Sequence, residues 1–165
     1  MAIQTTVLQK SSSDSPATGA SARAYAELAT RLAAGDGGII AFGSVNRREG
    51  VTHTIRGLAD ELDRAGGRVT VVDPMLEPLQ KRELSELRAR HDWVLVDCGS
   101  LDASMELLRL APLADGVVLV TESGRTAREQ VERAAQLIRE ARGKLLGFVL
   151  NKRRYPVPGW LYRGL

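Results

Sequence analysis

One cysteine and two histidines are all that the 165 residues hold of the side chains that build disulfides and zinc sites. Cys98 alone cannot close a bridge within the chain. His53 and His91 stand far apart and near expected helix ends, so they make no cluster at metal-ligand spacing and read as polar or capping residues. No local pattern brings Ser, His and Asp together for nucleophilic catalysis. Long hydrophobic runs are missing as well. The strongest, Gly38 to Phe42, Trp93 to Val96 and Val117 to Val120, fall far short of the roughly 20 residues that span a bilayer. The opening stretch, rich in Ser, Thr and Ala, lacks the basic-then-apolar layout of a secretion signal. These absences predict a cytoplasmic protein with no membrane span of its own, brought to the inner face of a membrane only by a partner.

What remains is the composition of an ordinary globular chain, 44% apolar and 26% charged, and at roughly 150 residues per domain it makes one domain with short tails. The net charge of +3 arises at one end. Lys152, Arg153, Arg154 and Arg163 lie where no acid stands, and with these set aside the 20 acidic residues slightly outnumber the remaining basic ones. A terminal run of this kind reads as solvated charge, and no nucleic-acid interface is built on it. Residues 1–20, with their SSSDSP cluster and no sustained period, are expected to form a flexible lead-in. Residues 21–151 form the domain, and 152–165 a basic tail with prolines and aromatics.

Within the domain the pattern alternates. Tyr25, Leu28, Ala29 and Leu32 fall on one stripe of a helix that Gly35-Asp36-Gly37-Gly38 ends. Ile39 to Phe42 reads as a strand, Gly43 to Gly50 as a polar loop, and Ile55, Leu58, Ala59 and Leu62 as the apolar face of a second helix closed by Gly66-Gly67. Val69 to Val72, nearly all β-branched, suits a strand buried on both faces. Leu79 to Arg90 is an expected helix, Trp93 to Val96 a strand, Met105 to Leu110 a short helix and Val117 to Val120 a strand. A helix from Thr126 to about Arg142, with Val131, Ala134, Ala135 and Ile138 facing inward, leads to a last strand at Leu145 to Leu150. Five short apolar strands separated mostly by helices predict an α/β three-layer sandwich around a mainly parallel sheet.

In such a sheet ligands lie beyond the carboxyl ends of the strands, so the segment SVNRREGVTHT, from Ser44 to Thr54, is the first candidate site. A phosphate-binding loop needs Gly for the tight backbone, Lys for charge, and Ser or Thr to hold magnesium. This loop has part of that set. Together with ARAYAELATRL, RVTVVD, HDWVLVDCGS and the stretch from ADGVVLV to FVLNK, it resembles the bacterial tyrosine kinases of capsule and exopolysaccharide synthesis. These belong to the deviant Walker-motif branch of P-loop ATPases that also holds ParA and MinD. The resemblance runs from about Ser21 to Asn151 and implies a P-loop NTPase-like fold.

The same resemblance assigns roles. Arg47, Arg48, Glu49, Gly50, Val51 and Thr52 stand where the family has Pro, Gly, a variable residue, Gly, Lys and Ser or Thr. Val51 replaces the lysine, and Arg48 replaces a glycine whose missing side chain lets the backbone approach phosphate. Asp73 keeps one acid of the second motif while Met75 replaces the other. Asp97 keeps the third, followed by Cys98 and Gly99 in place of Thr and Pro. The chain between Asp73 and Asp97 is shorter than in the family. Thr52 and Asp97 are the implied magnesium residues, and Asn151 stands where related ATPases read adenine. Each also has a plain reading: Gly50 and Thr52 as a helix entry, Asp97 as a local cap or pair, Asn151 as turn chemistry. Arg23, Ala26 and Ala29 take the places of a ring-forming Glu, Arg and Arg. Tyr155 and Tyr162 are candidate phosphoacceptors, or else pack with Trp160 onto the domain or a partner.

The expected function is a catalytically impaired tyrosine-kinase-like module, with ATP or ADP and Mg bound weakly if at all. It would act beside a membrane-embedded polysaccharide co-polymerase or an active kinase of the same pathway. Asp73 and Asp97 are remnants of catalysis. The alternatives are an active, atypical autokinase or ATPase in which Arg47 or Arg48 replaces the lysine, and a ParA- or MinD-like positioning module.

Overall fold

Strands whose successive side chains are all apolar can be buried only if both faces of their sheet are covered. The computed structural model of the protein describes residues 4–7, 25–30, 37–76 and 79–151. In chain order these give β1 (Gln4–Val7), the helical residues 25–30 (α1), β2 (Gly38–Ser44), α2 (Val51–Arg64), β3 (Val69–Val72) and α3 (Lys81–Arg90). Then follow β4 (Trp93–Ser100), α4 (Glu106–Leu110), β5 (Gly116–Glu122), α5 (Arg128–Glu140) and β6 (Leu145–Asn151). One sheet takes the strands in the order β1-β6-β5-β2-β4-β3, with every neighbouring pair parallel.

The period of two along β2 divides the core. Ile40 and Phe42 face a cluster built with Tyr25 and Leu28 of α1 and Val51, Ile55, Leu58 and Leu62 of α2. Ile39 and Ala41 face the other cluster, with Leu84 of α3, Leu107 and Leu110 of α4, and Ala134 and Ile138 of α5. Helix α1 seats on α2 through Tyr25, whose ring lies where a Cβ on Gly57 would come within 2.4 Å. The edge of the same ring meets His53, with centroids 6.3 Å apart. The three-layer α/β expectation is met, as are its five strands and the inward face of α5 at Ala134, Ala135 and Ile138.

Two local readings need correction. Among the described residues Val69–Val72 is an edge strand, paired with β4 alone, and Val71 is 44% exposed. Its β-branched run marks a strand, but which strand stands at the edge is decided by pairing order, which composition does not encode. The stretch expected to be a lead-in contains β1, which adds a sixth strand along β6. Four residues are too few for periodicity to register, and it is the free backbone edge of β6 that pairs with them. Arg23, Leu32 and the tail with Tyr155, Trp160 and Tyr162 lie outside the described residues. Among the described residues no helix is long and apolar enough to cross a membrane.

Candidate functional site

The sheet's connections diverge at the carboxyl end of β2. The chain leaves β2 for α2 on one face, whereas the connections after β4 and β5 lead to α4 and α5 on the other, and a crevice opens between them. The loop of residues 45–50 lies there. Helix α2 begins at Val51 behind Gly50, which has φ +96° and no capping side chain, so no cap residue covers the positive dipole end of the helix. A cavity of about 360 Å³ is lined by Arg47 to Gly50, Val51, Thr52, His53, Asp97 and Ser100.

Two oxygen-bearing side chains meet in it. The Thr52 hydroxyl donates to Asp97 Oδ2 at 2.6 Å, and Asp97 Oδ1 accepts the Gly99 N–H at 3.2 Å. The register between β2 and β4 slips at this point, from Phe42 opposite Asp97 to Ser44 opposite Ser100, so β4 bulges by one residue and turns Asp97 toward the start of α2. A hydroxyl and a carboxylate of this kind fit Mg²⁺, which takes one or two protein oxygens and completes its shell with phosphate and water. Among the described residues no three of His, Cys, Asp and Glu gather as a metal cluster, so such an ion would depend on its phosphate ligands.

Val51, Arg47 and Arg48 line another part of the cavity. Val51 is 6% exposed and belongs to the core shared by α1 and α2. Arg47 and Arg48 are exposed on the loop. Arg48 has φ +64°, the left-handed conformation that a glycine would adopt without strain. The loop therefore keeps the backbone path of a glycine while carrying a guanidinium. The backbone N–H of Arg47 reaches Asp102 at 3.3 Å. The Ser100 hydroxyl, helped by that N–H, holds the Asp102 carboxyl below its ordinary range.

Inside the loop stands an acid that braces it. Glu49, 1% exposed, accepts the N–H groups of Val45 and Asn46 at 3.0 and 3.1 Å and the Asn46 amide at 3.0 Å. It also accepts the Thr126 hydroxyl from the connection between β5 and α5. A buried carboxylate is tolerable only with several donors of this sort. Asn151, at the end of β6 and 4% exposed, donates its amide to the Glu49 carbonyl at 2.8 Å.

The structure thus brings Arg47, Arg48, Glu49, Gly50, Val51, Thr52 and Asp97 around one cavity. Asp73 leaves β3 beside the strand that carries Asp97, but its Oδ1 accepts the Met75 N–H of its own turn. Met75 is 66% exposed. Cys98 is buried, and burial, with Asp97 close by, pushes its thiol up. Sequence reading missed Thr126 and Asp102. Thr126 could have been noticed as a hydroxyl at the start of a helix, whereas nothing local marks Asp102.

None of the known protein-family profiles matches the chain. Over 61 residues it is 34% identical to the tyrosine-protein kinase CpsD of Streptococcus agalactiae, a stretch that covers 37% of this chain and 27% of that one. Over 69 residues it is 35% identical to the tyrosine-protein kinase YwqD of Bacillus subtilis, covering 42% and 29%. The succinoglycan biosynthesis transport protein ExoP of Rhizobium meliloti is 32% identical over 78 residues, covering 47% and 10%. The chain therefore spans less than a third of the length of each of these relatives. Among solved structures, the kinase domain of the Escherichia coli tyrosine kinase Etk superposes with a TM-score of 0.75 at 15% identity, over 84% of this chain and 79% of that one. A nucleotide-binding protein of Archaeoglobus fulgidus in complex with ADP gives 0.55 at 19% identity, over 81% and 74%. Two of these relatives are named bacterial tyrosine kinases, and the fold is shared with a solved tyrosine-kinase domain.

Proposed function

We propose that this chain is a tyrosine-kinase-like P-loop module that binds nucleotide weakly, turns it over little or not at all, and serves capsule or exopolysaccharide synthesis by contacting a partner. The observation that carries this reading is Val51, buried in the core at the position the resemblance assigns to the phosphate-binding lysine. Loss of one charge-assisted hydrogen bond to phosphate costs about 1.5–3 kcal/mol, roughly ten- to a hundredfold in affinity, which weak binding survives. Phosphoryl transfer relies on preorganised charge, and one such donor is worth about 10²–10³ in rate. With an acid of the second motif also replaced, by Met75, little turnover is left.

Thr52 and Asp97 would hold Mg²⁺, the start of α2 would face the phosphates, and Arg47 and Arg48 would lend diffuse positive charge. The bound ion would supply charge neutralisation. The partner is a membrane-embedded polysaccharide co-polymerase or an active tyrosine kinase of the same pathway. The names of the relatives, two tyrosine kinases and a succinoglycan transport protein, support that placement.

Phosphate release from Mg-ATP and anti-phosphotyrosine blotting of the purified chain test the catalytic half, and co-purification with the candidate co-polymerase tests the other. Silence in both assays with stable co-purification is expected. Turnover at the rate of ordinary P-loop kinases overturns it. Turnover that vanishes when Arg47 and Arg48 are both replaced by Ala would instead establish the reading in which an arginine replaces the lysine, which the exposure of both side chains on the cavity rim favours.

A further inference from the structure

We infer that Thr126, which does not line the cavity, is a positioning residue for it: through the buried Glu49 carboxylate it holds the loop after β2 in the shape that receives a ligand. This rests on the nucleotide reading above and adds the residue that tunes it. A carboxylate only accepts hydrogen bonds, with about four positions over its two oxygens, and donors stand at all of them. Glu49 Oε2 takes the N–H groups of Val45 and Asn46, and Oε1 takes the Asn46 amide and the Thr126 hydroxyl. Three of these donors belong to the loop and move with it. Among the described residues Thr126 alone brings a donor to Glu49 from another element, so it ties the loop to the sheet.

The tie is itself anchored. The hydroxyl has one proton, which goes to Glu49, and its oxygen accepts the N–H of Glu122, the last residue of β5, at 3.3 Å. The Thr126 N–H returns to the Glu122 carbonyl at 3.2 Å. Glu49 meets the same strand ends a second time, since its carbonyl accepts the Asn151 amide at 2.8 Å and the Asn151 carbonyl accepts the Ser123 N–H at 2.9 Å. Glu49 and Gly50 lead directly into α2, so the placing of Glu49 sets where that helix starts. Without the hydroxyl, a carboxylate only 1% exposed lacks one donor, and the loop must shift to let water supply it.

The test compares three full-length proteins: the parent, Thr126→Val, which removes the hydroxyl, and Thr126→Ser, which keeps it. In Thr126→Val, hydrogen exchange followed by NMR should run about ten- to a hundredfold faster at the Val45 and Asn46 amides, the effect of losing one bond to a charged group. It should stay at the parent's rate at Ile39, whose N–H bonds Asp115 at the other end of β2. Affinity for ADP with Mg²⁺, read by calorimetry, should fall about three- to tenfold as the competent loop becomes less populated. Thr126→Ser should lie within about twofold of the parent in both measurements. Unchanged exchange at Val45 and Asn46 in Thr126→Val, affinity within about twofold of the parent's, or a serine variant no better than the valine one overturns the inference and leaves the nucleotide reading standing. Faster exchange at Ile39 as well would make Thr126 a support of the whole fold and overturn the inference too. A parent that binds no ADP overturns the nucleotide reading and the inference with it.

Discussion

Thr52 and Asp97 come from different elements, the first turn of α2 and the carboxyl end of β4, and their side chains meet at 2.6 Å across the cavity. The pair is held from both sides. The bulge in β4 turns Asp97, and the left-handed Gly50 sets where α2 begins. If the pair serves a metal, Thr52→Ala should lower the affinity for ADP ten- to a hundredfold with Mg²⁺ present, about 1.5–3 kcal/mol. With the metal chelated, the variant should match the parent. Calorimetry in magnesium and in EDTA reads both arms, and an equal loss in the two would remove the metal role.

Gly50 answers two demands at once, a φ of +96° and the approach of the Asn151 amide. Gly50→Ala is expected to destabilise the fold by about 1–3 kcal/mol through backbone strain and collision. In an Asn151→Ala background the same substitution should cost less, because the collision is gone and only the dihedral strain persists. Urea unfolding of the four proteins measures the difference.

Arg48 presents the opposite case, a side chain where the backbone suits glycine. Left-handed φ costs an L-residue about 1–2 kcal/mol, and glycine gives back about 0.5–1 kcal/mol in chain entropy. Arg48→Gly should therefore stabilise the protein by about 0.5–1 kcal/mol, seen as a higher urea midpoint at unchanged slope. A fall in the midpoint would mean that the guanidinium contributes more than its backbone strain costs.

Placing a lysine at position 51 is expected to have opposed effects. The Val51 side chain lies in the core of α1 and α2, and an ammonium cannot stay there, so Val51→Lys must swing its stem toward the cavity. Stability should drop by about 1–3 kcal/mol for the lost apolar burial. Nucleotide affinity should rise by about tenfold or more if the loop still cradles phosphate. Thermal melts and ADP titration separate the two, and unchanged affinity would indicate that the cradle itself is gone.

At the opposite end of the sheet, Arg68 donates to both oxygens of Asp92, and its backbone N–H adds a third bond. The Arg68 side-chain bond, followed by the backbone one, holds the Asp92 carboxyl at about 2. In the unfolded chain the same group titrates near its ordinary value of about 3.9. Between these values the unfolded state binds more protons, so the stabilisation is present above about pH 4 and is lost as pH falls toward 2. Asp92→Asn should flatten that part of the profile of melting temperature against pH. A variant whose acid limb runs parallel to the parent's would rule out this source.

Much of this was legible in the residues themselves. Apolar β-branched runs and helical stripes place β2, β4, β5, β6, α2 and α5 within a few residues, because side-chain burial repeats along a strand or helix with a local period. The loop from Arg47 to Thr52 was visible as a polar interruption between strand and helix, and Asp97 as an acid at the end of an apolar strand. Thr126 and Asp102 were not, since each acts on a residue far off in the chain. Thr126 reaches Glu49 across 77 positions, and Asp102 reaches Arg47 across 55.

Local sequence determined which segments become strands and helices, that both faces of the sheet are covered, and that the loop after β2 lacks a lysine. Those properties depend on each residue's own preference and its near neighbours. Tertiary structure alone decided that Val69–Val72 stands at an edge, that Glu49 turns inward as a brace, that Val51 joins the core, and that the Asn151 amide serves the loop backbone. Each is settled by which strand lies beside which and by which buried polar groups must find partners, and pairing of that kind is a condition on distant residues that no short window of sequence contains.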